Sequence, residues 1–261
     1  MNPTGRFSSR VGNYARYRPD YPPEVVAWLV ERCALGQESV IADVGSGTGI
    51  FTRMLLCVGC AVYGVEPNAE MRGEAERSLA GFPNFHSVAA TAEATGLAER
   101  SVDLVTAAQA AHWFDVAKMK QELDRILKPG GRVALIWNVR RTGSTPFLRE
   151  YEELLKRRGV DYAQVNAHQG DETRIRELFG ARGYEQLRLD HAQHFDAEGL
   201  LGRALSSSYT PEPGHAGYEP MLAELRELFE RHQTGGRVTF EYDTRVYLSA
   251  QRRPGAGPRT P

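Results

Sequence analysis

The sequence predicts an α/β fold built on parallel strands. Three observations carry this. Val40, Ile41, Ala42 and Val44 form a short apolar run of the kind that makes a strand buried on both faces. Gly45, Gly47 and Gly49 follow at every second position and open a helix-like stretch, Ile50 to Val58. A second apolar run, Ala61 to Val65, then ends in Glu66. Strand, glycine turn, helix and strand in that order make one parallel crossover unit.

The glycine turn points to a ligand. Glycines at this density let the backbone turn sharply and approach a bound group with no Cβ in the way. Asp43 stands at the end of the first strand. Glu66 stands at the end of the second, about twenty positions beyond Gly45, where an acid suits hydrogen bonds to ribose hydroxyls. A dinucleotide loop wants a third glycine at position 50, which is Ile50. An acid at position 43 would also repel a pyrophosphate. It would not repel a ligand carrying an ammonium and a sulfonium. The stretch therefore resembles the cofactor loop of class I S-adenosylmethionine-dependent methyltransferases, acid-x-Gly-x-Gly-x-Gly followed by an acid after strand two. A strand-to-helix turn with no ligand is the plainer alternative; three alternate glycines and two placed acids argue against it.

Composition narrows the class. The 261 residues suit one large domain, or one domain with an inserted cap. The net charge of −1 gives no reason to expect nucleic acid or a polybasic membrane contact. No apolar run is long enough to span a bilayer, and the N-terminus lacks an apolar signal core. Three cysteines, Cys33, Cys57 and Cys60, fit a reducing cytoplasm, and the expected location is cytoplasmic. Cys57 and Cys60 have redox-motif spacing, but their place at a helix end and the following turn favours packing.

Along the chain, residues 1–23 read as an N-terminal arm rich in tyrosine and arginine. Tyr14, Tyr17 and Arg18 are candidates to lie near the methionine carboxylate or the acceptor; the alternative is a surface arm held by aromatic packing. Pro22 and Pro23 start a helix running to Cys33. Residues 69–80 form a second helix with a charged face, and Met71 is placed near adenine or ribose. Phe85 to Ala89 is a third strand, with Thr91, Ala92 and Glu93 at its end as candidate adenine contacts. Ser101 to Thr106 is the fourth. Gln109, Ala110, Ala111, His112, Trp113 and Phe114 follow, at the carboxyl end of the sheet where ligands sit. Asp115 caps the next helix. Lys128 to Gly131 is a tight turn into a fifth strand, Arg132 to Trp137. Helices over 146–158 and 171–181 come next, then strands Leu187 to Phe195 and Val238 to Leu248. Between those strands, about 197–235, an inserted cap is expected: Leu200 to Leu205, Ser206 to Pro211 with Tyr209, and a helix from Tyr218 to His232. Residues 24–250 thus make the main domain, and 251–261, rich in Pro, Gly and Arg, is expected to be disordered.

Nearly the whole chain resembles one group of these enzymes, the trans-aconitate methyltransferase-like proteins and relatives with the type 11 methyltransferase domain. The resemblance rests on Tyr14 to Pro22, Asp43 to Gly49, Gly64 to Pro67, Ala92-Glu93, Gln109 to Phe114, Lys128 to Gly131 and Ser206 to Pro211. It implies a Rossmann-like seven-stranded sheet, mostly parallel with an antiparallel last strand, plus the arm and a small helical cap. It implies S-adenosyl-L-methionine as cofactor, held by Asp43, Gly45, Ser46, Gly47, Glu66, Pro67, Met71, Thr91, Ala92, Glu93, Gln109 and Ala110. No metal is required.

Methyl transfer from a sulfonium is an in-line displacement that needs alignment and exclusion of water. A carboxylate acceptor needs no base; a hydroxyl or amine does, and His112 is the candidate, with pocket shaping as its other role. Tyr14, Tyr17, Arg18, Trp113 and Tyr209 are the candidate acceptor-binding residues. His191 and His194 have metal-like spacing but face opposite sides of a strand. The expected function is methyl transfer to a small-molecule oxygen, carboxylate or hydroxyl, by a monomer or homodimer. Methylation of a protein or other macromolecule, and cofactor binding without transfer, are the alternatives.

Overall fold

In this computed structural model, residues 10–163, 172–180 and 183–250 are described. Five strands run parallel: β1 (Val40–Val44), β2 (Ala61–Val65), β3 (Phe85–Val88), β4 (Val102–Ala108) and β5 (Leu127–Arg140). With β6 (Tyr184–Phe195) and β7 (Val238–Ser249) they make one seven-stranded sheet among the described residues, in the order β3-β2-β1-β4-β5-β7-β6. β7 is antiparallel to both of its neighbours. The helices are α1 (Val11–Tyr17), α2 (Pro23–Cys33), α3 (Ile50–Leu56), α4 (Ala69–Ser78), α5 (Val116–Ile126), α6 (Pro146–Arg158), α7 (Glu172–Phe179), α8 (Ala197–Leu205) and α9 (Tyr218–His232). β1 pairs with both β2 and β4, so the strand order reverses there. In open α/β sheets such a switch point opens a crevice at the carboxyl ends of the strands.

The period-two alternation of the strands builds a core on each face. Ile41, Val62, Leu104, Ile136 and Val246 pack with Leu29 of α2, Leu55 of α3 and Leu79 after α4. Ala42, Val44, Val105, Val133 and Leu135 pack with Met119 and Ile126 of α5 and Ile175 of α7. Both faces are covered, which is why the strands read as near-continuous apolar runs. A third cluster joins α6, α8, α9 and the first half of β7 through Tyr151, Leu200, Leu225 and Phe240. Phe240 sits edge-on to Phe147, Tyr151 and Phe195, with ring centroids 5.3, 4.9 and 5.5 Å away.

Several boundaries differ from expectation. The β5 ladder begins at Leu127, which pairs with Val102; the next pair is Arg132 with Leu104. Lys128 to Gly131 therefore bulge out of a strand rather than preceding one. α3 ends at Leu56, two residues early, and the chain turns at Gly59. The helix expected over 171–181 is described over Glu172–Phe179. The expected disordered tail, 251–261, lies outside the described residues.

α1 is tied down at both ends. The buried Arg10 guanidinium donates to the carbonyls of Ser207 and, at 2.7 Å, Thr210; Arg18 Nη2 donates to the Ser206 carbonyl at 2.9 Å. Gly202 of α8 allows the closest approach: a Cβ there would lie 2.1 Å from the Tyr17 ring. Among the described residues no helix is long and apolar enough to cross a membrane.

Phe240→Ala should cost about 3–5 kcal/mol, because a buried aromatic surrounded by three others leaves a cavity that cannot collapse. Urea unfolding of mutant and wild type reads this directly; a loss under 1 kcal/mol would mean the third cluster is loosely packed.

Candidate active site

The loop after β1 is folded by its own neighbours. Gly45 and Ser46 donate to the carbonyl of Val65 at 2.8 and 3.2 Å. Gly45 has φ +69°, and a Cβ there would lie 2.5 Å from that of Ala110, so only glycine fits where the loop crosses the exit of β4. The Glu66 carboxylate accepts from Gly47 N at 3.0 Å and from Asn68 N at 2.8 Å. Asn68 in turn caps α4, accepting from Met71 N at 2.9 Å. Burial raises the Glu66 pKa, although the two amide donors pull it down.

Asp43 is 1 % exposed. Its partners are the hydroxyls of Thr52, at 2.6 Å, and Thr106, at 2.8 Å. Burial outweighs these hydrogen bonds and pushes its pKa up to about 6. A buried carboxylate held by neutral hydroxyls is a good partner for a cationic ligand group.

Two adjoining cavities open at the switch point. One, of about 190 Å3, is lined by Glu66, Pro67, Met71, Thr91, Ala92, Glu93, Ala110 and Trp113. The other, of about 300 Å3, is lined by Asp43, Ser46, Thr48, Arg18, Arg140, Arg203 and Tyr209. Tyr14, Gly45, Gly47, Ala108 and Gln109 line both. Gln109 has φ +55°, a strained value for a residue with a side chain. Its amide donates to Ile136 O at 2.8 Å and its side chain to Asn138 O at 2.9 Å, which hold it at the junction.

The twelve residues expected to hold the cofactor therefore line one or both cavities. Tyr14, Arg18 and Tyr209 line the larger one, and Trp113 the smaller. Tyr17 is among the lining residues of neither: its ring packs on Gly202 and its hydroxyl donates to Glu198 at 3.1 Å. His112 lines a separate apolar cavity of about 20 Å3, with Met119, Trp137 and Ile175. The 3-10 turn Ala111–Trp113 sends neighbouring side chains to different sides, Trp113 to the smaller main cavity and His112 towards α7.

The larger cavity also holds residues that were not singled out from the sequence. Arg140 ends β5, Arg203 lies in α8, and Tyr162 and Tyr242 stand beside them. The carboxyl-end rule already applied to β4 also points to Arg140. Arg203 carried no local signal, since a lone arginine in an amphipathic helix reads as a solvated residue. It is 5 % exposed.

A sequence profile of the methyltransferase domain matches residues 42–135, the span that carries the loop and both acids. A methyltransferase of Schizosaccharomyces pombe, its reaction uncharacterised, is 31 % identical over 93 % of this chain and 96 % of its own. The chain belongs to the class I S-adenosylmethionine-dependent methyltransferases. A malonyl-[acyl-carrier protein] O-methyltransferase of Marinomonas is 31 % identical over 54 % of this chain and 52 % of its own. Among solved structures, a candidate type II methyltransferase from Anaeromyxobacter dehalogenans superposes with a TM-score of 0.65 at 24 % identity, over 90 % of this chain and 98 % of its own; this shows the fold alone.

Asp43 sets a pH signature for the ligand-free protein. Its folded pKa of about 6 lies above the ordinary aspartate value, so its contribution to stability is full below about pH 4 and is lost as pH rises through 6. The loss amounts to about 3 kcal/mol by linkage. Wild-type stability relative to Asp43→Asn should therefore fall between pH 4 and pH 7. Parallel urea-unfolding profiles for the two proteins across that range would show that Asp43 ionises normally.

Proposed function

We propose that the two cavities hold S-adenosylmethionine and a small-molecule methyl acceptor, and that the methyl goes to an oxygen, carboxylate or hydroxyl. The observation that carries this is the pair of buried acids around one glycine loop, with Asp43 facing the larger cavity and Glu66 the smaller. The residues fit the cofactor. Thr48 Oγ1 is buried on the lining of the larger cavity without a protein partner, a polar atom that a bound ligand would satisfy. When bound, the cofactor supplies a methyl group made electrophilic by its sulfonium.

The residues divide the work. Glu66 accepts from the ribose hydroxyls while keeping the Gly47 amide in place. Pro67, Met71, Thr91, Ala92, Glu93 and Ala110 enclose the adenine end. Asp43 balances the positive end, and Gly45, Ser46 and Gly47 let the cofactor approach the loop closely. Gln109, pinned by its two hydrogen bonds, marks the junction where the methyl must meet its acceptor. Residues 10–23 of the expected arm and residues 197–235, the cap, together keep water from the larger cavity. Tyr14, Arg18 and Tyr209 contact the acceptor. Trp113 walls the adenosine end, and Tyr17 holds the arm to the cap. His112, in its separate apolar cavity, shapes the wall beside Trp113, their rings 4.9 Å apart. An oxygen acceptor is favoured by the arginines of the larger cavity, which would repel a protonated amine and attract a carboxylate. Transfer to an oxygen is also what the name of the Marinomonas relative states for that protein.

Incubation with methyl-labelled S-adenosylmethionine and a metabolite extract, followed by mass spectrometry, should yield a labelled small molecule that loses its label in alkali if it is an ester. Label appearing in protein or RNA instead would redirect the assignment to a macromolecular acceptor, and cofactor binding without label transfer would leave a binding protein. Glu66→Ala should weaken S-adenosylhomocysteine binding by about 2 kcal/mol, the scale of a lost charged acceptor. Unchanged affinity by calorimetry in the folded mutant would rule out the ribose contact. His112→Ala should change turnover without changing the pH profile near neutrality; loss of a limb with a histidine-like pKa would restore it as a base.

A further inference from the structure

The larger cavity gathers three guanidiniums from three elements: Arg18 just after α1, Arg140 at the end of β5 and Arg203 in α8. Their partners are unequal. Arg140 Nη2 donates to Glu152 at 2.6 Å and to the Tyr162 hydroxyl at 3.0 Å, and that hydroxyl donates to the same carboxylate oxygen at 2.6 Å. The guanidinium also lies 4.9 Å from the Tyr151 ring centroid. Arg203 donates to neutral hydroxyls, Ser207 at 3.0 Å and Tyr242 at 3.3 Å. Arg18 donates to a backbone carbonyl and lies 4.8 Å from the Tyr14 ring centroid. Among these hydrogen bonds, Glu152 is the carboxylate, and it serves Arg140.

Buried cations gathered without matching anions are unfavourable, because each has lost water and each repels the others. Two atoms locate this imbalance. Arg140 Nη1 and Arg18 Nε are buried with no hydrogen-bond partner in the protein, and the Arg140 side chain is 10 % exposed. Desolvation, then repulsion from Arg203, lowers the Arg18 pKa. Burial pushes the Tyr209 phenol up, but Arg203, Arg140 and Arg18 pull harder and leave it below the ordinary tyrosine value. Cation–π packing accounts for Arg140 Cζ over Tyr151 and Arg18 over Tyr14. It does not account for donors left unpaired at a cavity wall, which cost more than a surface donor would.

Charge counting gives the valence of the missing partner. S-adenosylmethionine, with an ammonium, a sulfonium and a carboxylate, carries one net positive charge at neutral pH, which Asp43 offsets. Glu152 offsets one guanidinium. Two guanidiniums remain. We propose that Arg18, Arg140 and Arg203 form a clamp that takes the methyl acceptor as a dianion, a small dicarboxylate or a phosphate monoester. This rests on the methyltransferase assignment of the cavity. Arg140 is the reading residue, presenting its Nη1 edge, and Glu152 and Tyr162 are positioning residues that fix the guanidinium plane by holding Nη2. Because Arg18 follows α1 and Arg203 belongs to α8, the bound dianion also ties the arm to the cap.

The test is calorimetric titration of the full-length protein saturated with S-adenosylhomocysteine, using acetate, succinate and methyl phosphate at pH 7.5. Succinate or methyl phosphate should bind at least tenfold tighter than acetate, and which of the two binds tighter assigns carboxylate or phosphate. Arg140→Gln should remove tenfold or more of that affinity, and Arg140→Lys should recover only part of it, since the point charge is kept and the fork is lost. Glu152→Gln should weaken dianion binding while leaving the acetate affinity within twofold, the mark of lost positioning. S-adenosylhomocysteine binding reports that each variant is folded; if Arg140→Gln fails this control, the Arg140→Lys comparison decides. Succinate and methyl phosphate binding no tighter than acetate, with S-adenosylhomocysteine bound, would overturn the clamp. Failure of S-adenosylhomocysteine to bind wild type would instead overturn the cofactor assignment.

Discussion

The site depends on a buried carboxylate held by neutral hydroxyls. Asp43 ends β1, and its oxygens are fixed by Thr52 of α3 and Thr106 of β4. Those two threonines tie the helix that follows the loop to the strand across the switch point. The same sheet geometry brings Val65 O under Gly45 and Ser46, and Glu66 under Gly47. One acid is thus fixed by side chains and the other by backbone amides, and between them the loop has little freedom. A carboxylate buried this way raises its own pKa and costs stability at neutral pH. Such a cost is expected where an ionised group serves a ligand rather than the fold.

The same cavity also carries the opposite charge. Within one cavity, Asp43 stands at the loop end while Arg18, Arg140 and Arg203 line the rest. On the proposed reading, a cationic cofactor end is drawn to Asp43 and an anionic acceptor to the arginines, and each is repelled by the other set. Gln109, strained and doubly anchored, stands where the two cavities meet.

Legibility in the sequence followed the range of the interactions. β1, the glycine loop, β2 and both acids are contiguous, and their chemistry is local, so their place at the switch-point cavities was readable from spacing. The seven-stranded sheet with its antiparallel last strand came from the family resemblance, since β3 and β6 carry no continuous buried run that would place them. The β5 bulge was missed because Lys128 to Gly131 have turn chemistry, and only long-range pairing of Leu127 with Val102 places them inside the ladder. Arg140 and Arg203 were missed for a similar reason. They are 63 positions apart in the numbering and meet only because β7 inserts between β5 and β6, carrying Tyr242 to Arg203 at 3.3 Å. His112 shows the limit of a rule about strand ends: the residues after β4 line the two cavities, but a single 3-10 turn decides which of two adjacent rings faces them.

The arm explains why this half of the site needs long-range contacts at all. α1 is only seven residues long, with none of them buried, so by itself it has little reason to be helical. It is kept by partners that belong to the region between β6 and β7: Arg10 and Arg18 grip the carbonyls of Ser206, Ser207 and Thr210, and Tyr17 settles into the space left by Gly202. Of these, the Ser206 carbonyl that Arg18 grips belongs to the C-cap of α8, the negative end of the helix, where an arginine is favourable. Arg18 is therefore shared between capping α8 and lining the cavity. Whatever fills the cavity and pairs with Arg18 acts on the same contact that docks the arm, so acceptor occupancy and arm closure are thermodynamically linked through one guanidinium.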